Sequence, residues 1–318
     1  MTDLLVLTED QQMLAQSAAE FVAAEATVAR FRANRDADKT WDPELWAQLV
    51  ELGWNGIGLM GLPELSVVIE ALGAHLVQTP LVSVAAAAAL GEGDSPEVLS
   101  FAFDAQCAVQ DGRLTGTARG VLDAGIASAF AVLADGHMYR IDAADVAITH
   151  LTRLDYRDAG NLSFEGVPAA PIDGDADTMS RCRDHATVAQ CAEMLGAMGQ
   201  AFKMTLDYLK EREQFGVKIG SFQALQHRAV DLFIEIELCR SAVMVAARDP
   251  HPRLVSLAKA RCSDGIMKIC NEAIQLHGGI GMTDEHDIGF YLKRAMVSSQ
   301  TLGTSAWHRD RYARERGY

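Results

Sequence analysis

Two stretches of the chain decide its fold: REQFGVKIGSFQALQHRAVD at residues 212–231 and QLHGGIGMTDEHDIGFYLKRA at residues 275–295. The first begins with Arg212, and the second places Gly278 and Gly279 after a helical run. An arginine offers a fork of donors to phosphate oxygens, and glycines let backbone N–H groups approach an anion. A glycine pair alone is more often a helix C-cap. Together with the arginine, however, the pair indicates a pyrophosphate site.

Both stretches resemble the two C-terminal signatures of the flavin-dependent acyl-CoA dehydrogenases. Three earlier segments resemble further parts of that family. LTEDQQMLAQSAAEFVA at 7–23 resembles its opening helix, LWAQLVELGWNGIGL at 45–59 its next helix and turn, and GTARGVLDA at 116–124 the start of its β-domain. The resemblance therefore covers nearly the whole chain.

The resemblance implies an α+β, mainly α, acyl-CoA dehydrogenase-like fold. Its expected parts are an N-terminal helical domain at 1–95, a small middle β-domain at 96–175 and a C-terminal four-helix bundle with FAD-binding motifs at 176–318. The residue pattern agrees with this architecture. Apolar residues recur at helical spacing up to about residue 90, where the breaks predict four helices, and short β-branched runs between turn residues then predict antiparallel strands. The last bundle helix is expected at about 284–315.

Charge and cysteine content limit the class of protein. The 318 residues are 49% hydrophobic and carry 43 acidic against 28 basic residues, a formal charge of −15. Nucleic acids and anionic membranes need cationic surfaces, so neither is an expected partner. The six cysteines form no CxxC pair, which favours reduced thiols, a cytoplasmic location and no metal site. No apolar span of about 20 residues is present, so we expect no membrane segment and no cleaved leader.

The residue that should do the chemistry is missing. Removing hydrogen across the α,β bond of a thioester requires a carboxylate to take the α-proton while the flavin accepts a hydride. The resemblance places that glutamate at one of two positions, which here hold Leu302 and Ala186. Neither side chain can carry a proton. We therefore expect no catalytic residue at either position.

Glu193 is a possible substitute for the missing base. It follows Ala186 by seven residues, which places it on the same helix face but two turns, or roughly 10 Å, away. A base at that distance would need a different substrate pose. Glu193 therefore stays open as an unorthodox base.

The other acids and histidines of the C-terminal region have structural interpretations. Glu235 and Glu237 are typical of solvated or inter-subunit ion pairs. Glu285 and His286 resemble family residues near the flavin-binding helix, although acids at a helix start usually cap it. His277 is expected to pack beside the glycines.

Without a base, the chain resembles the shorter subunit of the α2β2 acyl-CoA dehydrogenases of bacterial steroid degradation. The resemblance implies a longer partner subunit that carries the glutamate, an acyl-CoA substrate, plausibly steroid-derived, and electron-transfer flavoprotein as electron acceptor. It also assigns FAD-binding roles to eight residues: Arg212, Gln214, Phe215, Ile219, Gln223, Gln275, Gly278 and Gly279. The chain is short for the family, because it lacks a glycine-rich insertion after LGWNGIGLM.

Three functions stay open at this point. The first is an FAD-binding, non-catalytic subunit of a heteromeric acyl-CoA dehydrogenase. The second is a self-sufficient homo-oligomeric dehydrogenase with an unorthodox acid such as Glu193, and the third is a flavin-free structural or regulatory partner. The first accounts for the motifs, the trimmed segment and the absent base together, whereas a flavin spectrum would argue against the third.

Overall fold

The computed structural model describes residues 6–93 and 95–318. It is 58% helical and 17% strand, which confirms the mainly α, α+β fold. Among the described residues the α-helices are α1 Glu9–Glu25, α2 Val28–Asp36, α3 Pro43–Glu51, α4 Leu62–Ala74, α5 Leu81–Ala88, α6 Ala176–Glu211, α7 Gln223–Arg248, α8 Pro252–His277, α9 Ile288–Ser298 and α10 Ser305–Glu315. The strands are β1 Leu99–Ala102, β2 Ala105–Gln110, β3 Arg113–Leu122, β4 Ala129–Ala134, β5 His137–Asp142, β6 Ala147–His150, β7 Ala159–Pro168, β8 Ala170–Ile172, β9 Glu213–Gln214 and β10 Val217–Lys218.

Two helix breaks differ from the sequence prediction. Residues 6–90 form five α-helices instead of the four predicted, because the chain leaves helical geometry at Ala26 (φ −121°, ψ 46°) between α1 and α2. The predicted helix at 284–315 is two helices, α9 and α10. Between them Leu302 and Gly303 have φ values of +59° and +112°, which a helix cannot accommodate.

The chain packs as two compact units. Unit 1 contains the described residues up to Phe31 together with Ser66–Val77 and Gln190–Tyr318, and unit 2 contains Arg32–Leu65 and Gln78–Ala189. The division of the chain into three domains at residues 95 and 175 stays a prediction.

Unit 2 is built around two four-stranded sheets. One has the strand order β1-β4-β5-β8 and the other β2-β3-β7-β6. Their pairs are antiparallel except for β1 with β4, which run parallel and depart from the predicted pattern. Buried residues of both sheets, such as Phe130 and Ile141 from one and Leu114 and Phe164 from the other, form a shared hydrophobic core. The sheets therefore form a sandwich.

In unit 1, α4 and α6 cross at glycines. A Cβ on Gly196 would lie 1.9 Å from the carbonyl oxygen of Glu70, and one on Gly73 would lie 2.3 Å from that of Glu193. Both distances are far below van der Waals contact, so no larger residue fits without separating the helices. The crossing fixes the part of α6 that leads toward the motif at residues 212–231.

We predict that Gly196→Ala destabilises the protein by about 3 kcal/mol, because the added methyl group overpacks the crossing against rigid backbone. Urea denaturation of the variant and the unmodified chain, followed by circular dichroism, measures the difference in the free energy of unfolding.

Gly199→Ala is the matched control, because Gly199 lies in the same helix and a Cβ added there would have no atom within 4 Å. Replacing a helical glycine by alanine at an open position should be neutral or stabilising by up to about 1 kcal/mol. Equal effects of the two substitutions would contradict the close crossing.

Candidate functional site

The first motif forms the turn between α6 and α7. Strands β9 and β10 pair antiparallel and are joined by Phe215 and Gly216, whose φ values are +56° and +77°. Two positive φ values in a two-residue hairpin loop are the geometry of a type I′ turn. Gly216 adopts this geometry freely, whereas a positive φ is unfavourable for a bulky residue such as Phe215. The Phe215 side chain is 92% exposed. The motif therefore presents an aromatic side chain to the outside of the chain.

Arg212 lies directly after the last residue of α6. Its backbone N–H donates to the carbonyl of Tyr208 at 2.9 Å, and its carbonyl accepts from Ile219 N–H at 2.9 Å. The side chain is exposed and has no ion-pair partner among residues 6–93 and 95–318. A guanidinium in this state is available to an external anion.

The second motif ends α8. Gly278 has φ +64° and ψ −139°, a backbone geometry open essentially only to glycine, and no atom lies within 4 Å of a Cβ added to Gly278 or Gly279. Gln275 and both glycines are exposed. The Gly278 N–H donates to the carbonyl of Gln275, and no side chain crowds the Cβ side of either glycine.

A ring stack brings the two motifs to one end of unit 1. The centroid of the Tyr208 ring, one turn before Arg212, is 4.7 Å from that of the His277 ring, directly before Gly278. The predicted FAD-binding residues are exposed at this end, except for the half-buried Ile219: Arg212, Gln214, Phe215, Gln223, Gln275, Gly278 and Gly279. Their contacts with a ligand stay predictions, but the open glycines and the unpaired guanidinium fit a phosphate-bearing cofactor.

The position of Ala186 is closed. Ala186 lies in α6 and is 1% exposed, so its methyl group is part of the packed interior. A proton acceptor there would not reach solvent or a substrate without rearrangement of its surroundings.

Glu193 takes part in a buried ion pair. The Arg294 guanidinium donates to one carboxylate oxygen of Glu193, and Gln190 Nε2 donates to the other at 2.7 Å. Arg294 also donates to the carbonyl of Leu76 at 3.1 Å. Glu193 and Arg294 are 5% and 2% exposed. The carboxylate is therefore the structural counter-ion of Arg294, a partner 101 residues away that local patterns did not reveal.

Leu302 lies in a loop whose backbone carbonyls accept hydrogen bonds from a buried lysine. Lys259 Nζ donates to the carbonyls of Ser298, Ser299 and Gly303 at 3.2, 3.2 and 3.0 Å. A fourth acceptor, Ser263 Oγ, lies 2.9 Å away. The ammonium group sits at the C-terminal end of α9, where the helix dipole favours a cation.

His308 holds the same loop from α10. Its Nε2 lies 3.0 Å from the carbonyl oxygen of Leu302, and its Nδ1 lies 3.3 Å from Ser256 Oγ. Side chains from α8 and α10 thus hold the loop that carries Leu302. Neither Lys259 nor His308 was singled out from the sequence. The sequence feature that could have identified Lys259 is its position among the buried apolar residues of α8.

The remaining candidate acids are engaged or exposed. Glu235 pairs with Arg261 at 2.8 Å and with Lys268 at 3.4 Å, and Glu237 pairs with Arg240 at 3.3 Å. These ion pairs lie within the chain. Glu285 is exposed, and the ring of its neighbour His286 packs against His277 at a centroid distance of 4.6 Å. His277 is buried beside the glycines, in the packing role predicted for it.

Metal-binding clusters and membrane-spanning helices are both missing from the described residues. No group of His, Cys, Asp and Glu side chains at 6–93 and 95–318 is arranged to hold a metal ion. Within the same part of the chain, no helix has the length and apolar character needed to cross a membrane. The six cysteines are free thiols.

Sequence models of known families match most of the chain. Residues 8–97 match the acyl-CoA dehydrogenase N-terminal domain, and residues 176–316 match the acyl-CoA dehydrogenase C-terminal domain. Acyl-CoA dehydrogenase IpdE2 of Mycobacterium tuberculosis is 34% identical over 309 residues, which cover 92% of this chain and 93% of that protein. IpdE2 of Mycolicibacterium smegmatis is 30% identical over 93% of this chain and 96% of its own length.

Solved structures show the same fold. A chain of the ChsE4-ChsE5 complex from Mycobacterium tuberculosis superposes with a TM-score of 0.88 at 27% identity, covering 98% of both chains. A chain of the Tcur3481-Tcur3483 steroid acyl-CoA dehydrogenase also gives 0.88 at 27% identity, with coverage of 97% and 98%. The expected acyl-CoA dehydrogenase-like fold is confirmed.

We predict that the stability added by Lys259 depends on pH. Burial lowers the pKa of Lys259 to about 8 from the usual 10.5. The folded state therefore binds fewer protons than the unfolded state between these values, so folding is favoured as the pH rises. The free energy of unfolding of the unmodified chain should rise by about 2 kcal/mol relative to Lys259→Met between pH 7 and pH 10, measured by urea denaturation.

Lys268→Met is the control, because Lys268 is an exposed lysine of the same helix. The difference in the free energy of unfolding between Lys268→Met and the unmodified chain should stay constant between pH 7 and pH 10. A pH-independent difference between the unmodified chain and Lys259→Met would contradict the prediction.

Proposed function

Because this chain belongs to the acyl-CoA dehydrogenase family, we propose that it is the FAD-binding, non-catalytic subunit of a heteromeric acyl-CoA dehydrogenase. The family consists of flavin-dependent oxidoreductases. The observation that carries the proposal is a mismatch within one chain. The predicted nucleotide-binding residues are present and nearly all exposed, whereas Ala186 and Leu302 stand where the resemblance expects the base.

The proposed cofactor fits the residues that are present. FAD supplies the acceptor for the hydride removed from the β-carbon of the acyl group. This chain would hold the pyrophosphate with the Arg212 guanidinium and would let it approach the backbone of the Gly278–Gly279 turn, where no side chain intervenes. Gln223 and Gln275 can hydrogen-bond neutral parts of the nucleotide.

Glu193 argues for the partner-subunit role over a self-sufficient enzyme. A base must lie within about 3 Å of the proton that it removes and must change its protonation state. Protonating Glu193 would leave the buried Arg294 without its counter-ion, which costs several kcal/mol. The catalytic glutamate is therefore assigned to a second, longer subunit.

A helix face of unit 1 provides the surface for that subunit. Val230, Phe233, Ile234 and Leu238 of α7 recur at helical spacing, and each is 49–55% exposed. Four large apolar residues on one face form a patch of the kind that marks a protein interface. The face continues from Gln223, the first residue of α7 and one of the predicted FAD-binding residues.

A longer homologue fits this face better than a second copy of the same chain. Two copies would bring together two molecules of formal charge −15 and still contain no glutamate at either base position. A longer homologue on the α7 face would lie beside the exposed motif residues and complete the cofactor site with its own residues. The α7 face is thus proposed to join the two subunits.

Relatives suggest the substrate class. The matching Tcur3481-Tcur3483 assembly is a steroid acyl-CoA dehydrogenase, and ChsE4-ChsE5 is likewise a complex of two different chains. The substrate proposed here is an acyl-CoA thioester with a steroid-derived acyl group, and electron-transfer flavoprotein is the proposed electron acceptor. A cytoplasmic location remains part of the proposal, supported by the six free thiols.

The first test concerns assembly. We expect this chain to co-purify with a longer, glutamate-bearing homologue and to oxidise acyl-CoA only in that complex. Ile234→Asp should weaken the complex by at least about 100-fold, because the interface would bury an unpaired carboxylate. Sedimentation equilibrium of the two chains measures the affinity.

Met60→Asp is the matched control, because Met60 is 74% exposed but lies outside the α7 face. This variant should assemble like the unmodified chain. The proposed function would be wrong if the isolated chain oxidised an acyl-CoA at rates typical of enzymes, on the order of 1 to 1,000 per second.

The second test concerns Arg212. A charge-assisted hydrogen bond to the pyrophosphate is worth about 1.5 to 3 kcal/mol, so Arg212→Ala should weaken FAD binding by the complex about 10- to 100-fold. Titration of the FAD-depleted complex with FAD, followed by flavin fluorescence, gives the dissociation constant.

Arg316→Ala provides the comparison, since Arg316 is an exposed arginine near the C-terminus. FAD affinity unchanged in both variants would show that Arg212 is only an exposed helix-end residue. Loss of affinity in Arg212→Ala alone supports the phosphate contact.

A further inference from the structure

His277, the last residue of α8, lies between two rings. Its centroid is 4.7 Å from that of Tyr208 at an interplanar angle of 28°, and 4.6 Å from that of His286 at 55°. His277 is 2% exposed. Aromatic pairs at these distances contribute stabilisation beyond that of buried area alone. The imidazole therefore cannot move without disturbing both neighbours.

A hydrogen bond fixes the orientation of the same ring. His277 Nδ1 lies 2.7 Å from the carbonyl oxygen of Ala273, one turn earlier in α8. Because a carbonyl only accepts, Nδ1 carries the proton and Nε2 has a lone pair. Nε2 has no hydrogen-bond partner in the described part of the chain. Burial lowers the pKa of His277, the hydrogen bond to Ala273 opposes this shift, and the neighbouring His286 adds to it.

The stack joins two segments that are distant in sequence. On one side, the carbonyl of Tyr208 accepts the backbone N–H of Arg212 at 2.9 Å. On the other side, His277 directly precedes Gly278. A Cβ on Gly281 would lie 3.0 Å from Cβ of His277, so the turn after α8 folds back onto the histidine.

An ion pair also links neighbouring helices in this region. Arg228 of α7 contacts Glu272 of α8 at 2.6 Å, but the two side chains are 38% and 34% exposed. Ion pairs with that exposure contribute little, because solvent screens them. The ring stack around the buried His277, which ties the Arg212 end of α6 to the end of α8, is therefore the stronger connection.

We propose that His277 is a positioning residue for FAD, because its ring links the Arg212 end of α6 to the Gly278–Gly279 turn. This inference rests on the proposed function, since it concerns the same cofactor site. His277 does not touch the cofactor. It acts through Tyr208 on one side and through the backbone of the glycine turn on the other.

The test compares FAD affinities of the assembled complex. His277→Ala opens the stack and should weaken FAD binding about tenfold, whereas His277→Phe keeps a ring between Tyr208 and His286 and should stay within about twofold of the unmodified complex. Tyr208→Leu opens the stack from its other face and should match His277→Ala, so the outcome does not depend on one variant folding. His75→Ala, which removes a half-buried histidine of the same unit outside the stack, should leave FAD affinity unchanged.

A double-mutant cycle separates positioning from general loss of stability. If His277 acts by placing Arg212, adding His277→Ala to Arg212→Ala should weaken FAD binding by less than about twofold further. A full tenfold loss in the Arg212→Ala background, or equal losses in His277→Ala and His277→Phe, would overturn the positioning role. An unmodified complex that binds no FAD would instead overturn the proposed function itself.

Discussion

The buried ion pair between Glu193 and Arg294 is the constraint on which unit 1 depends. Taking a guanidinium out of water costs several kcal/mol unless its donors are matched by acceptors. Here one donor goes to Glu193 and another to the carbonyl of Leu76, whose φ of +61° ends the segment after α4. On the same helix as Arg294, Tyr291 donates to the carbonyl of Ala74 at 2.7 Å. The pair thereby fixes α9 against α6 and the end of α4. The crossing at Gly196 lets α4 and α6 approach each other closely.

This constraint also argues against a catalytic role for Glu193. A proton acceptor must be reached by its substrate, and it must gain and lose charge during each turnover. Glu193 meets neither condition, because it is closed from solvent and balances a permanent cation. The residues proposed to bind the nucleotide have the opposite character, since nearly all of them are exposed and lie at turns or helix ends. Within unit 1, the buried charges of Glu193 and Arg294 are thus distinct from the exposed Arg212 that is proposed to bind the nucleotide.

The proposed binding residues could be selected from the sequence because they lie in two short contiguous motifs. Gly278 requires a glycine for its backbone angles, and Arg212 is recognisable by its place beside the hairpin. The rest depends on contacts between distant residues. The partner of Glu193 is 101 positions away, and the role of Lys259 becomes visible only when the carbonyls after α9 surround it. The break at Ala26 has no glycine or proline to mark it. The residue spacing within β1 and β4 does not show whether the two strands run parallel or antiparallel. Neither feature could therefore be predicted from spacing.

The exposure of the motif residues would make FAD affinity depend on subunit association in the proposed assembly. A ligand shared by two chains binds the assembled state more tightly than either separate chain, so occupancy and association are linked equilibria. In the proposed assembly, each bound FAD therefore also acts as a clamp between subunits, and dilution of the complex drives release of the flavin by mass action. Because the proposed nucleotide-binding side chains are nearly all exposed, this chain would bind FAD tightly only within the proposed complex, and that affinity would depend on the concentration of both subunits.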